Sequence, residues 1–546
     1  MPVGDQHKKP ACPPSSFSPF PNSLFVLLQH PPIFISPILS NNMPPIHPEI
    51  IWDPKPQSNA GDPNLPETFY HLNYNGHALM FTVDLCGKGV SLDTKRCPMW
   101  ICLHGGGTTD SENNNDTNWT KARAGYFGHM VNKYAEDHGP VIMVCPRGVS
   151  TTERGKNTAA WDDWNLHFRQ ESYVLMEQMI IQLLQTNTVI DAPYSVDPNR
   201  VYLWGFSAGG DGAFNIGARI PDRFAAVIAN AGHPNGAPFV NFANTGMILQ
   251  VGERDVLKGA NDRRISRAKV YLEEARAPLI TLKQTHDPDG RDNLYRFECM
   301  VVQTEDAPES SKKGLYYHNS WSSRDTGTTL KVTAPKDGGA VEAWLAQQDL
   351  QDVEWLKKRE QERIWTRKQG EWWNTSTTIN PLILVNSDKH KYTRNPTPAR
   401  VIWDLHSRPP RPEGSPKGWE KRMFYWLYVR QSPLDTVAEG LVKLGPEDAR
   451  LLTKTNQHLI HVARPNSHMG YLLKESMITG NQTITLRINT AGTTKDFPLG
   501  TLAVQSKIKA QTRELSGDPE LEFAAMVYLT GSKDDWKAVV AQSLDG

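Results

Sequence analysis

Between about residue 67 and residue 345, short apolar runs take turns with stretches of helical spacing, and this alternation constrains the fold more than any other feature. Segments 98–103, 141–145, 200–204, 225–230, 247–251 and 295–302 read as strands, preceded by β-rich stretches at 69–72 and 78–85. Segments 121–136, 171–186, 208–220 and 263–275 carry helical spacing. Apolar strands without a polar face are buried on both sides, which is the habit of parallel sheets. The expected fold class is therefore α/β: a mostly parallel sheet with helices on both faces.

The rest of the 546 residues divides by composition. Residues 1–66 hold 16 of the 40 prolines and no lasting apolar period, so they read as a disordered or extended leader. Residues 67–345 form the α/β domain, 346–395 a charged helical connector, and 396–546 a small β-rich C-terminal domain. Eight of the 16 Trp lie between 344 and 426, helical spacing runs over 341–373, and strands are expected near 399–405, 423–430, 483–489 and 522–529. Rings at that density build a small core more often than a sugar-stacking surface.

Charge excludes some partners. Lys+Arg and Asp+Glu balance at 59 each, so no field draws the chain to nucleic acid or an anionic membrane. The greasiest N-terminal stretch, 23–39, is cut by Pro31, Pro32 and Pro37 and is no membrane span. No clear signal peptide is read at the N-terminus; the compartment stays open, with a cytoplasmic location favoured. Six cysteines without a CxxC spacing argue against a metal–cysteine site. Cys102 and Cys145 lie in strand-like runs and read as inert core thiols, whereas Cys86 and Cys97 are candidates for a bridge across a loop.

The chemistry concentrates at 200–210. A strand runs into Gly205-Phe206-Ser207-Ala208-Gly209 and then into a helix, the strand–turn–helix context that gives a G-x-S-x-G match its meaning. Small residues at 205 and 209 permit the sharp turn that lifts Ser207 above the sheet as a nucleophile. About a hundred residues earlier, a strand ends in His104-Gly105-Gly106-Gly107, where backbone N–H groups can turn toward an oxyanion. Gly106, Gly107 and the Ala208 N–H are the candidate oxyanion donors, with His104 holding the loop in shape. The orienting carboxylate should follow the strand at 247–251, where Asp255 is preferred over Glu253. The base should follow the strand at 295–302, where His318 is preferred over His286, which precedes that strand and would sit at the wrong end of the sheet. His233, Phe206 and Trp161 are candidates to line the substrate pocket. No metal or organic cofactor is called for.

These residues resemble the α/β-hydrolase superfamily, and within it the polyhydroxybutyrate-depolymerase-like and prolyl-oligopeptidase-like esterases. The likeness rests on LHGGG at 103–107, VYLWGFSAGGDGAF at 201–214, PDRFAA at 221–226 and VGERD at 251–255, and covers about residues 95–345. It implies a carboxylic-ester hydrolase in which Ser207, Asp255 and His318 match the triad, though HNSW at 318–321 replaces a GHSW-like pattern. The expected partner is a small-molecule or polymeric ester. A serine peptidase acting on short peptides, and a binding protein on a hydrolase fold, are the alternatives. Only about 95 residues precede the LHGGG strand, too few for the large N-terminal domain that usually guards such peptidases, which favours the ester.

Overall fold

The computed structural model describes residues 50–58, 66–74, 77–87, 96–105, 114–148, 170–185, 190, 194–252, 255–258, 264–302, 318, 382, 392–404, 421–430, 447–490, 493–531 and 535–544. Gly106, Gly107, Trp161, Glu253 and the helical spacing at 341–373 lie outside them.

The strands of the first sheet are β1 (Ile50–Ser58), β2 (Thr68–Tyr74), β3 (His77–Cys86), β4 (Arg96–Leu103), β5 (Val141–Pro146), β6 (Ser195–Phe206), β7 (Ala226–Asn230) and β8 (Gly246–Gly252). A separate hairpin, β9 (Val256–Lys258) with β10 (Arg264–Ser266), precedes the last strand, β11 (Phe297–Val302). The nine-stranded order is β1-β2-β3-β5-β4-β6-β7-β8-β11. From β5 to β11 every pairing is parallel, while β1, β2 and β3 join antiparallel.

Helices α1 (Asn114–Ala124), α2 (Tyr126–His138), α3 (Gln170–Gln185) and α4 (Ala208–Arg219) connect these strands. Strand β6 shows why both sheet faces are dry. Val201 and Leu203 enter one apolar cluster with Met179 and Phe214. Tyr202 and Trp204 enter another with Trp100 and Phe127. Each such fully buried side chain contributes about 1.5–3 kcal/mol, so the alternation seen in sequence is stabilised from both sides.

Four sequence expectations need correction. The proline-rich leader contains a strand: β1 pairs with β2, and its register shifts between Asp53 and Gln57, across Pro54 and Pro56. Proline lacks the N–H a ladder needs, so it survives in an edge strand or a bulge, and β1 is both. The single helix read at 121–136 is two helices, because the backbone at Gly125 leaves the helical range, with φ −91° and ψ −112°. The helix read at 263–275 begins later. Residues 264–266 are β10, and Ser266 caps α5 (Arg267–Val270) by accepting the Lys269 N–H. That helix continues through a π turn, Tyr271–Arg276, into α6 (Ala277–His286). Cys86 and Cys97 are both buried free thiols with no bridge between them.

The C-terminal strands are β12 (Arg400–Trp403), β13 (Met423–Phe424), β14 (Leu427–Val429), β15 (Glu447–Lys454), β16 (Gln457–Val462), β17 (Met469–Leu473), β18 (Thr483–Thr490), β19 (Thr493–Gly500), β20 (Ala525–Thr530) and β21 (Lys537–Val540). They form two five-stranded sheets, β12-β15-β16-β18-β19 and β13-β14-β17-β20-β21, accompanied by helix α7 (Ser506–Ser516). Trp403 stacks on Phe424 at 4.5 Å, and the Trp426 indole donates to the Pro398 carbonyl at 2.7 Å. These two tryptophans are core rings.

Both parts belong to one unit, His47–Gly546, and buried charges join them. Arg223, just after α4, bonds Glu177 of α3 at 2.8 Å and the Ser516 carbonyl at 2.8 Å. Lys421 pairs with Glu177 and, at 3.0 Å, with Asp222. Arg394 holds Asp518 at 2.5 Å and the Asp222 carbonyl at 3.2 Å. The PDRF segment at 221–224 is thus one place where the C-terminal region fastens to the larger sheet.

Candidate active site

The backbone at Ser207 has φ 57° and ψ −120°, a conformation that side chains rarely adopt. Three neighbours enforce it. The Ser207 N–H donates to the Asn230 carbonyl at 2.8 Å, tying the turn to β7, and the Ser207 carbonyl accepts the Asp211 N–H at 3.1 Å, starting α4. Close packing does the rest: a Cβ at Gly205 would lie 1.8 Å from the Gly209 oxygen, and one at Gly209 would lie 2.0 Å from the Leu103 oxygen. No side chain larger than hydrogen fits either place, which is why the G-x-S-x-G pattern is legible as a turn.

The same crossing brings in the neighbouring strand end. A Cβ on Gly105 would lie 3.2 Å from the Ser207 Cβ, so the 104–105 segment lies against the serine. His104 braces it. Its Nε2 accepts the Gly148 N–H at 2.9 Å, which puts the ring proton on Nδ1, 3.0 Å from the Gly105 carbonyl. Burial pushes the ring down to about 4, so it stays neutral. The Gly105 N–H donates to the Tyr126 hydroxyl at 3.2 Å. Ala208 opens α4, and an N–H in a helix's first turn has no intrahelical partner.

Ser207, His318 and Asp255 stand in a line. Ser207 Oγ is 2.9 Å from His318 Nε2, and His318 Nδ1 is 2.9 Å from Asp255 Oδ2. A carboxylate only accepts, so Nδ1 carries the proton and Nε2 presents its lone pair to the serine hydroxyl. Asp255 is fully buried. Burial alone would raise its carboxyl, but the adjacent His318 and Arg267 outweigh that and hold it below its ordinary value. His286 is elsewhere: it ends α6, its carbonyl accepts from Arg400, and its ring lies 6.0 Å from Tyr295.

Of the candidate pocket residues, Phe206 packs edge-on against Tyr126 and lies 4.9 Å from the His318 ring. His233 is bound rather than open. Its backbone N–H and Nδ1 both face Asp211, the latter at 3.2 Å, and its Nε2 is 3.3 Å from Arg267 Nε. Arg267 Nη1 lies 3.3 and 3.5 Å from the two Asp255 oxygens, and 2.5 and 3.2 Å from the two His318 ring nitrogens.

Arg267 and Asp211 escape the sequence reading. Asp211 was in plain view in the GGDG run, four residues after Ser207, an acid in a helix's first turn. Arg267 gave no such signal, because its place depends on where α5 starts.

The topology and the crossing at Ser207 define an α/β-hydrolase fold, with Ser207 and Asp255 just past the carboxyl ends of β6 and β8 and His318 in contact with both. Within it, residues 92–326 match the family model described as "Putative esterase". Among solved structures, a thermostable esterase aligns at 17% identity and TM-score 0.32, over 55% of this chain and 63% of that one. The enterobactin esterase FES from Shigella flexneri aligns at 15% and 0.24, over 33% and 43%. The siderophore hydrolase EstB from Aspergillus nidulans aligns at 14% and 0.29, over 43% and 88%. The first two alignments thus span less than two thirds of those proteins' own lengths. No curated protein matches the sequence. Among the described residues no helix is long and apolar enough to cross a membrane.

Proposed function

We propose that the protein is a serine hydrolase that cleaves a carboxylic ester through an acyl-enzyme. The observation that carries this reading is the line Ser207 Oγ, His318 Nε2, His318 Nδ1, Asp255 Oδ2, with 2.9 Å at each junction. In this mechanism His318 takes the Ser207 proton as Oγ attacks the ester carbonyl, and Asp255 stabilises the imidazolium that forms. The oxyanion is received by the Ala208 N–H and by N–H groups of the Gly106–Gly107 loop. His318 then returns its proton to the leaving alcohol. Water, deprotonated by the same ring, releases the acid and restores Ser207.

Turnover of p-nitrophenyl esters of increasing acyl length tests the proposal. Wild type should hydrolyse at least the short members, and Ser207→Ala should not. A folded wild type inactive on the whole series overturns it in favour of a binding protein on a hydrolase fold. Cleavage of short peptides with no ester turnover would favour the peptidase.

A further inference from the structure

The role of Arg267 goes beyond the triad. A plain Ser-His-Asp line places one anion beside the histidine. Here a guanidinium fixed at the start of α5 reaches the same two groups, with Nη1 within 3.5 Å of both Asp255 oxygens and within 3.2 Å of both His318 nitrogens. It is also tied at two other points. The Arg267 backbone N–H donates to the Asp255 carbonyl at 3.0 Å, and Nε contacts His233, which Asp211 holds from behind. Its side chain is only 10% exposed, so the cation is spent inside the site.

We infer that Arg267, braced by His233 and Asp211, is a positioning residue that fixes the Asp255 carboxylate and offsets its charge at His318; this rests on the ester-hydrolase reading above. Two consequences follow from elementary electrostatics. Asp255 is 1% exposed in its side chain, and a buried carboxylate facing a single neutral imidazole would be poorly compensated; Arg267 supplies the missing charge. The imidazolium formed during attack faces Asp255 and Arg267 together, so it is held less tightly than by Asp255 alone and gives its proton to the leaving alcohol more readily. The charged groups facing His318 among the described residues are these two, with His233 and Asp211 behind Arg267.

The test compares wild type, Arg267→Ala and Arg267→Lys on p-nitrophenyl acetate across pH, with Ser207→Ala as the blank. Arg267→Ala should lower kcat on the order of 10- to 100-fold with KM nearly unchanged, because it misplaces the base rather than the substrate. Added guanidinium ion, at concentrations well below denaturing, should restore part of kcat, and Arg267→Lys should lie between. The acid limb of the Arg267→Ala pH profile should move to higher pH, since the histidine then faces an anion alone. A folded Arg267→Ala with wild-type kcat and an unmoved acid limb overturns the inference. So does a rise in KM at constant kcat, which would make Arg267 a substrate contact. If Arg267→Ala does not fold, the decision falls to Arg267→Lys, and an unaltered kcat and pH profile there overturn it equally. A wild type that turns over no ester overturns the functional reading itself, an outcome distinct from any failure confined to Arg267.

Discussion

Two of the charge networks among the described residues are built from similar residues and opposite in design. The one at the active site joins Asp211, His233, Arg267, Asp255 and His318, ending at Ser207. The one between the two parts of the chain joins Glu177, Arg223, Lys421, Asp222, Arg394 and Asp518. The second sets three cations against three carboxylates and contains no histidine. Arg394 and Asp518 are 1% and 0% exposed in their side chains, whereas His318 at the open end of the first is 17% exposed. A network of permanent, balanced charges holds two surfaces together; adding two histidines to such a network and opening one end lets it move protons. The same physical terms therefore give a fastening in one place and, in the proposed mechanism, a reaction site in the other.

The comparison can be broken most sharply at Ser207. Ser207→Ala should lower kcat/KM for a short ester by about 10⁴-fold or more, which is about 5.5 kcal/mol of transition-state stabilisation, and leave the urea midpoint nearly unchanged. Alanine has the same Cβ as serine, so it adds no new clash at the turn.

The opposite pattern is expected at the fastening. Arg394→Ala strands Asp518 and should cost about 3–5 kcal/mol of stability, read as a lower urea midpoint, while protein that remains folded keeps its ester kcat/KM. A variant that stays as stable as wild type would show that the six charges do not act as a clamp.

Buried carboxyls sharpen the contrast through pH. Lys421 and Arg223 overcome burial to hold Glu177 down, to about 2. Its stabilising contribution is therefore complete above about 4.5 and is lost as pH falls toward about 2. At Glu447, in the C-terminal sheets, the balance goes the other way: burial, helped by Asp448, outweighs the Asn466 hydrogen bond and Arg464 and pushes it up to about 8. Its sign is reversed: stability is full below about 4.5 and declines as pH rises toward about 8. In urea melts across that range, Glu447→Gln should remove this decline, so that the variant's stability relative to wild type rises with pH. A constant difference would contradict the assignment.

The smallest effect is expected at the exposed Arg487–Asp496 pair, 2.6 Å apart on neighbouring strands β18 and β19. Solvent screening leaves such a pair little to contribute, and Arg487→Ala should not shift the thermal midpoint measurably.

How much of this the sequence carries depends on the range of the interaction. The elbow is local: Gly205, Ser207 and Gly209 sit within five residues, and the steric demand on each glycine is met by backbone only a strand away. That the sheet is mostly parallel follows from the alternation of apolar runs, because a buried parallel strand must be apolar throughout, whereas the order of its strands does not. Edge strand β1 was masked by Pro54 and Pro56, which composition reads as leader although an edge tolerates them. The fastening was invisible because its partners are 124 and 244 positions apart, with no periodicity linking Arg394 to Asp518 or Lys421 to Glu177. Arg267 was hidden for a different reason. Read as mid-helix, it would have been a surface charge; only the cap at Ser266, after the β9–β10 hairpin, turns it onto Asp255.

The central claim is that Ser207 is an activated nucleophile. Treating folded protein with a fluorophosphonate and mapping the adduct by peptide mass spectrometry tests it most directly. The account predicts one adduct, on Ser207, formed by wild type, strongly slowed in His318→Ala and absent in Ser207→Ala. An adduct on another residue, or none on folded wild type, would contradict it.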